Sequence, residues 1–335
     1  MTRAPIVASL GVAALLAIEC SSPREEKAPG NPAAAAAVTL PANITSLAAI
    51  NRSSTVVAGL ADGQIVTWNP RERTPVIALK PHAARVLAVG STSDGHELWS
   101  VASDGTLART PISPGSPTIS QPVDLGPAPT RAAAFSADGS MLVTGGEFGE
   151  LRVFDTASST LRQQLRGHRT ELQDLAIRPG SAIVASASAE ADLRIWDAST
   201  GREIGFVDSD LSLFALGFSP RDGTLASGGV DRRLTLHETT TFKPVAHVSL
   251  QAPKLVAALA WSPDGRFIAL ADIDDETLSK GGVQIVDADS RAVVASLDTG
   301  GTPVRSMTFV ADPPTVVAVV GRDLRAWSVA SLKFK

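Results

Sequence analysis

The 335-residue sequence contains one cysteine, Cys20, and no tyrosine. A single cysteine cannot form an intramolecular disulfide or a thiolate cluster, so the fold must be stable without covalent or metal staples. Charge of one sign is not concentrated either, since 30 Lys plus Arg against 34 Asp plus Glu give a net charge of -4. Because no basic block is present to neutralise a run of phosphates, nucleic acid is not an expected partner.

Aromatic residues are also few, at 5 Trp and 10 Phe. Protein interfaces are usually enriched in aromatic anchors, so this composition favours a modest or transient partner. Hydrophobic residues make up 44% of the chain and charged residues 19%, with 27 Gly and 22 Pro. These values describe a folded chain with many turns and exclude a disordered or collagen-like one. The length alone is compatible with one or two domains.

The N-terminus carries an uncharged apolar run over residues 6–18. It is shorter than the roughly 20 residues that a membrane-spanning helix needs, and it is typical of a signal-peptide core. The run ends in LAIEC (16–20), which resembles a bacterial lipoprotein signal, with Glu19 where that family has a small residue. The resemblance implies cleavage before Cys20, lipidation of Cys20, and a polar, Pro-rich tether over 21–34. A soluble exported protein cleaved at a later Ala-x-Ala site and a cytoplasmic protein with an apolar terminus are the alternatives.

Beyond residue 35 the sequence repeats itself. Seven short segments recur: IVTWN (65–69), LARTP (107–111), LRVFD (151–155), LRIWD (193–197), LTLHE (234–238), VQIVD (283–287) and LRAWS (324–328). The steps between their fourth residues are 42, 44, 42, 41, 49 and 41 residues. An insertion at 272–282 accounts for the one long step. A nearly fixed period of this size is typical of a repeat architecture.

Each period contains four short strand-like runs. The first, such as AAAF (132–135), is followed by a turn containing Asp-Gly, which supplies the positive φ angle of a tight hairpin. A second run rich in small and β-branched residues follows, and a further turn leads to the segment that carries the aromatic residue. The fourth run is the least regular. Short runs at this spacing, without helical periodicity, predict sequential antiparallel strands.

These repeats resemble the WD-repeat (WD40) family of β-propellers, and the resemblance covers 36–335. It implies an all-β fold, a seven-bladed β-propeller of four-stranded antiparallel blades. In that family a His, a Ser or Thr, an Asp and a Trp form a hydrogen-bonded set inside the blade. The matching positions in the fourth copy are His168, Ser186, Glu190 and Trp196, with Glu where Asp is usual.

The two ends of the repeat region predict how the ring closes. Eight residues follow Trp327, which leaves the last copy with three strands, and residues 36–40 (AAVTL) precede the first copy. We expect 36–40 to pair beside the Ala326-Trp327 strand, because closure removes unpaired sheet edges. The predicted organisation is a signal peptide over 1–20, a linker over 21–34 and a monomeric propeller over 35–335.

The start of each innermost strand predicts a binding face. In proteins similar to this one these residues surround the mouth of the central channel and contact partners. Alignment of the copies places one ring at Ser46, Leu87, Arg131, Gln173, Phe214, Ala257 and Arg305. A second ring, two residues earlier, contains Ile44, Arg85, Pro129, Glu171, Ser212, Leu255 and Pro303. Because Arg and aromatic residues dominate interface energetics, we predict a protein-binding site formed by Arg85, Arg131, Glu171, Gln173, Phe214 and Arg305.

Common catalytic motifs are missing from the sequence. There is no Gly-x-Ser-x-Gly elbow, His-Glu-x-x-His helix or Walker loop, and GGEFGE (145–150) lies between two strands rather than before a helix. The predicted site residues offer three Arg and one Glu but no His or paired carboxylates, which disfavours acid–base or metal chemistry. We therefore expect a noncatalytic protein-interaction scaffold, exported and held at the membrane by lipid, with no cofactor and no metal.

Two alternatives follow from the same residues. A propeller enzyme or a small-ligand-binding propeller would have its site at the channel mouth, since the fold alone does not fix function. The acidic segment 272–276 also places carboxylates close together, and Ca²⁺ takes such oxygen ligands. It lacks the glycine and terminal Glu of an EF-hand loop, so a solvated acidic loop is the competing interpretation.

Overall fold

The computed structural model describes residues 34, 36–72, 77–112, 118–126, 129–209, 211–238, 240–248, 250, 255–274, 278–311 and 313–329. These residues form 28 strands in seven four-stranded antiparallel sheets. The predicted all-β, seven-bladed propeller is confirmed. No helix in this part of the chain is long and apolar enough to cross a membrane.

The strands follow one another blade by blade. Blade 1 contains β2 (Ile44–Ala49), β3 (Val56–Leu60), β4 (Ile65–Trp68) and β5 (Ile77–Leu79). Blade 2 contains β6 (Val86–Ser91), β7 (Glu97–Ala102), β8 (Thr106–Pro111) and β9 (Ile119–Pro122). Blade 3 contains β10 (Thr130–Phe135), β11 (Met141–Gly146), β12 (Leu151–Asp155) and β13 (Thr160–Leu165). Blade 4 contains β14 (Leu172–Ile177), β15 (Ile183–Ser188), β16 (Asp192–Asp197) and β17 (Arg202–Asp208).

The remaining blades have the same order. Blade 5 contains β18 (Leu213–Phe218), β19 (Leu225–Gly229), β20 (Leu234–His237) and β21 (Pro244–Val248). Blade 6 contains β22 (Leu255–Trp261), β23 (Phe267–Ile273), β24 (Gly281–Asp287) and β25 (Ala292–Leu297). Blade 7 contains β26 (Val304–Val310), β27 (Thr315–Val320) and β28 (Asp323–Ser328), and its fourth strand is β1 (Ala36–Thr39).

Local side-chain hydrogen bonds explain the turns between first and second strands. In blade 3, the Ser136 hydroxyl donates to Asp138 Oδ1 at 2.6 Å and accepts the backbone N–H of Met141 at 2.9 Å. Gly139 follows with φ of 73°, a conformation that glycine adopts without strain. The same Ser-x-Asp-Gly geometry recurs in blade 6, so the repeated motif encodes a repeated turn.

Ring closure uses the strand predicted for it. Ala36 pairs with Ala326 and Val38 with Leu324 in the antiparallel β1–β28 ladder. The Thr39 hydroxyl adds a hydrogen bond to Asp323 Oδ1 at 2.6 Å. The ladder joins the beginning of the propeller to its last blade without a covalent bond.

A buried polar network lies inside blade 4. His168 Nδ1–H donates to Asp192 Oδ1 at 2.7 Å, and His168 Nε2 accepts the Ser186 hydroxyl at 2.7 Å. Ser186 Oγ in turn accepts the Trp196 indole N–H at 2.8 Å. Burial alone would raise the pKa of Asp192, but hydrogen bonds from His168, Ser188 and Arg194 lower it well below its usual value.

The acidic member of this network is Asp192, and the prediction of Glu190 was wrong. Glu190 is exposed at the turn before β16, where its backbone N–H donates to Ser188 Oγ at 3.2 Å. Asp192 is 6% exposed and starts β16, so its shorter side chain reaches the buried imidazole directly. The acidic residue of the network thus lies two positions after the predicted one, in the strand rather than in the turn.

Two other blades keep part of the network. In blade 2, His82 Nε2 lies 2.8 Å from Ser100 Oγ, and His82 Nδ1 lies 2.6 Å from Thr106 Oγ1. In blade 5, His237 occupies the Trp position, with its Nε2 2.8 Å from Ser227 Oγ. Burial lowers the pKa of both His82 and His237, which favours neutral imidazoles inside the blades.

Blades 1 and 7 have the tryptophan without its acceptor. The strand register places Ala58 and Ala318 where blade 4 has Ser186. The indole Nε1 atoms of Trp68 and Trp327 are buried and have no hydrogen-bond partner within the described residues. A buried donor without an acceptor costs free energy, so these two blades are less well satisfied than blade 4.

We therefore expect that removing the serine from blade 4 and introducing one in blade 7 change the free energy of unfolding in opposite directions. Ser186→Ala should lower the free energy of unfolding by about 2 kcal/mol, because two buried groups lose their partner. Ala318→Ser should raise it by about 1 kcal/mol by giving Trp327 an acceptor. Denaturant unfolding followed by tryptophan fluorescence measures both changes. A loss of stability in Ala318→Ser would show that blade 7 has no room for the hydroxyl.

Candidate functional site

One end of the propeller carries the starts of all seven innermost strands. The antiparallel order of each blade places the turns between second and third strands at this same end, together with the connections between blades. We call this surface the mouth face. The Ser-x-Asp-Gly turns lie at the opposite end, because each innermost strand runs away from the mouth face.

A β-bulge occurs near the start of every innermost strand. In blade 4, for example, Leu172 pairs with Ser188 and Asp174 with Ala187, so Gln173 is left out of the ladder. A bulge bends the strand and redirects the side chain that it leaves unpaired. The unpaired residues of the seven bulges are Thr45, Leu87, Arg131, Gln173, Phe214, Ala257 and the pair Arg305 and Ser306.

The bulge residues of every blade except blade 2, where Leu87 is not a lining residue, line a central cavity of about 700 Å³. Four predicted site residues line it, namely Arg131, Gln173, Phe214 and Arg305. In blade 1 the lining residue is Thr45, whereas the predicted Ser46 pairs with Gly59 in the sheet. The structure corrects the predicted ring by one residue there, because the bulge falls one position earlier.

Arg85 and Glu171 are not among the residues that line the cavity, and they lie on its rim. Arg85 is exposed immediately before β6, and its backbone carbonyl accepts the N–H of Ser103. Within the described residues, the guanidinium groups of Arg85 and Arg305 have no hydrogen-bond or ion-pair partner. Both cations are therefore available to an acidic partner.

Unlike Arg85 and Arg305, Arg131 is already paired with two carboxylates. Its NH2 group donates to Glu147 Oε1 at 2.7 Å, and its Nε atom lies 3.5 Å from Glu171 Oε2. The hydrogen bond to Glu147 raises the pKa of the Arg131 guanidinium. The triad connects the turn of blade 3 with the connection into blade 4, and its net charge is -1.

Asp174 connects two blades at the cavity wall. Its Oδ2 atom accepts the backbone N–H of Leu216 in blade 5 at 2.7 Å, and Oδ1 accepts that of Leu175 at 2.9 Å. The residue is half-buried and lines the cavity. Withdrawal of the carboxylate from bulk water raises the pKa of Asp174 to about 7, although both backbone hydrogen bonds oppose this shift.

Three large apolar side chains project from the mouth face. Phe148 is 70% exposed at the turn of blade 3, Leu211 is 44% exposed between blades 4 and 5, and Leu278 is 53% exposed in the blade 6 insertion. Phe148 is not among the residues predicted from the sequence, since GGEFGE is weighed there only as a phosphate loop. An aromatic residue at a turn position where blades 1 and 2 have Asp-Gly was the available signal.

The remaining predicted features lie elsewhere. Asp272 lies in β23, one residue before its end, and accepts a hydrogen bond from Gln284 Nε2 at 3.0 Å, inside blade 6. Asp275 and Glu276 of the acidic segment lie outside the described residues, as does Cys20. In the part of the chain that the structure describes, no three His, Cys, Asp or Glu side chains are grouped to hold a metal ion.

Fold and site together define a β-propeller with a rim of apolar and cationic side chains around its channel. Residues 159–197 match the family model for the WD domain, G-beta repeat. This segment covers β13 and the first three strands of blade 4, so the sequence repeat is offset from the structural blade.

Several curated proteins are similar to this chain. WD repeat-containing protein VIP3 of Arabidopsis thaliana is 25% identical over 53% of this chain and 58% of that protein. The 66 kDa stress protein of Physarum polycephalum is 25% identical over 69% of this chain and 45% of that protein. WD repeat-containing protein SL1-17 of Schistosoma mansoni is 29% identical over 51% of this chain and 55% of that protein.

The chain spans about half the length of these relatives. The matched repeat, the WD-repeat relatives and the seven-bladed fold support a WD40-type β-propeller.

The raised pKa of Asp174 predicts a titration close to neutral pH. The ¹³C-carboxyl signal of Asp174, assigned with Asp174→Asn, should titrate with a midpoint near 7. Because the folded state holds a proton that the unfolded state releases near pH 4, this group's contribution to stability should be lost as pH rises from about 4 to about 7.

Asp197 is the internal control in the same spectra. Hydrogen bonds from Ser199 and Thr200 lower the pKa of Asp197, so its signal should titrate below the usual range of an aspartate. A midpoint for Asp174 that coincides with that of Asp197 would refute the effect of burial.

Proposed function

We propose that this protein is a noncatalytic, monomeric scaffold that binds another protein across its mouth face. The observation that carries the proposal is the combination of exposed Phe148, Leu211 and Leu278 with the unpaired cations Arg85 and Arg305 on one face. Aromatic and Arg side chains are the residue types that contribute most to binding at interfaces. The WD-repeat relatives support the same role.

The fold suits this task for a physical reason. The side chains of the mouth face stand on turns and bulges held by seven packed sheets, so little conformational entropy is lost when a partner orders them. The histidines of blades 2 and 4 have no exposed side-chain surface and are engaged inside their blades. They contribute to blade stability and do not face a partner.

The partner should carry acidic groups beside apolar ones. Arg85 and Arg305 offer positive charge without an internal counterion, while Phe148 offers a large apolar surface beside the Arg131 triad. Charge complementarity of this kind sets orientation and association rate, and the apolar contact supplies most of the affinity.

Paired substitutions test the mouth face. A Phe148→Ser, Arg85→Glu variant should reduce capture of a specific partner from native extracts at least about 10-fold, equivalent to about 1.4 kcal/mol. The matched control is Leu161→Ser, Arg71→Glu, which replaces an exposed apolar residue by Ser and an exposed Arg by Glu away from the mouth face.

Photo-crosslinking links the captured protein to the surface. A benzoylphenylalanine at position 148 should crosslink that same protein, and one at position 161 on the outer strand of blade 3 should not. Unchanged capture by the mouth-face variant, together with loss in the control variant, would place the interface on the outer strands instead.

We also propose that the chain is exported to the bacterial cell envelope and anchored by lipid on Cys20. The apolar run 6–18, the cysteine at its end and the polar stretch 21–34 support this proposal. Because β1 runs towards the mouth face, such a tether would join the propeller at the opposite end and leave the mouth face accessible.

Metabolic labelling tests the anchor. In a bacterial host, the full chain should incorporate labelled palmitate and sediment with membranes, and Cys20→Ser should do neither. Unlabelled protein in the periplasm would favour the soluble exported alternative, and uncleaved protein in the cytoplasm would favour the cytoplasmic one.

A further inference from the structure

We propose that the central cavity below the mouth face binds a small amphipathic carboxylate, with an apolar chain or ring that ends in one carboxylate group. This inference goes beyond the docking of a protein on the rim and does not depend on it. The cavity volume of about 700 Å³ lies within the range of ligand pockets, roughly 300 to 1,000 Å³.

Different blades supply the apolar and the polar residues of the cavity wall. Blades 5, 6 and 7 supply its large apolar side chains: Phe214, Leu216, Leu255, Leu259, Ile273, Leu278 and Met307. Blades 1, 3 and 4 supply Thr45, Arg131, Gln173 and Asp174. A ligand that contacts the apolar side gains free energy by burying apolar surface, so an apolar body is favoured there.

Arg305 supplies the anion-binding end. It lies in the bulge of β26 with Ser306, and both residues line the cavity beside the apolar wall. Its guanidinium has no partner within the described residues. A planar guanidinium matches a carboxylate through two parallel hydrogen bonds, and the neighbouring hydroxyl can donate a third.

The other charges favour a single anionic group. Arg131 is neutralised by Glu147 and Glu171, so it adds no free cation. Asp174, on the opposite side of the wall, disfavours ligands of higher negative charge when it is ionised. One available cation beside the apolar side of the cavity wall therefore favours a monoanion with an apolar body.

Calorimetric titration of the full chain with decanoate tests the proposal. We expect saturable one-to-one binding, no binding of acetate, and binding of decan-1-ol at least 10-fold weaker than that of decanoate. Arg305→Gln keeps a planar N–H donor group on a shorter side chain but removes the charge, so it should weaken decanoate binding at least 10-fold. Ala257→Trp, which places a large side chain inside the cavity, should also weaken it at least 10-fold.

Matched controls separate this site from the rim. Arg85→Gln removes a cation outside the cavity and should leave decanoate affinity unchanged, as should the Phe148→Ser, Arg85→Glu variant. If decanoate fails to bind while partner capture remains intact, the ligand inference alone is overturned. Equal affinity for decanoate and decan-1-ol, or full affinity in Arg305→Gln, would also overturn it.

A parallel titration with peptides identifies whether the carboxylate belongs to a small molecule or to the end of a protein chain. Acetyl-Leu-Leu-Phe with a free C-terminus presents the same chemistry as decanoate, and its C-terminal amide lacks the charge. Binding of the acid peptide without binding of decanoate would assign the cavity to the chain end of a partner protein and overturn the small-molecule proposal.

Discussion

The pairing of β1 with β28 is the constraint on which the whole propeller depends. Each blade buries its faces only against its two neighbours, so an open ring would expose two sheet faces and two strand edges. The interface that the closure seals contains a continuous apolar cluster, with Ala36 and Val38 of β1 packed among residues of blades 1 and 7. The sequence has one cysteine, outside the described residues, and the closure needs no covalent bond.

The offset between the sequence repeat and the structural blade also helps to hold the ring together. The matched segment 159–197 contains the outer strand of blade 3 and the three inner strands of blade 4. Consecutive repeats therefore share blades, and each connection from a fourth strand to the next first strand joins one blade to the next. The β1–β28 pairing repeats this relation at the ring's end, where hydrogen bonds replace the chain connection.

The sequence predicted the fold well because periodicity and turn chemistry are local. The period, the Asp-Gly turns and the closing strand are all visible in the sequence. The details of the site were less accessible, because they depend on side-chain reach and on bulges. Glu190 and Asp192 are two residues apart, and only the register of β16 shows which carboxylate meets His168.

The same limit applies at the mouth. Alignment of the repeats found the cavity-lining position in blades 3, 4, 5, 6 and 7 but missed Thr45 in blade 1, where the bulge lies one residue earlier. Three arginines in the predicted site looked equivalent, yet Arg131 is held by Glu147 and Glu171 while Arg85 and Arg305 are not. Ion pairing depends on neighbours from other turns, which repeat spacing does not report.

The bulges explain how one repeated scaffold can carry a site with different sides. Ladder hydrogen bonds and buried second strands hold each blade in place, so the unpaired residue can vary with little cost to the sheet. The unpaired residue differs in chemistry from blade to blade. Arg131 and Gln173 line the cavity from blades 3 and 4, whereas Phe214 and Ala257 line it from blades 5 and 6. Because stability and recognition reside in different residues of the same strand, the channel can acquire an apolar side and a charged end while the seven blades keep one architecture.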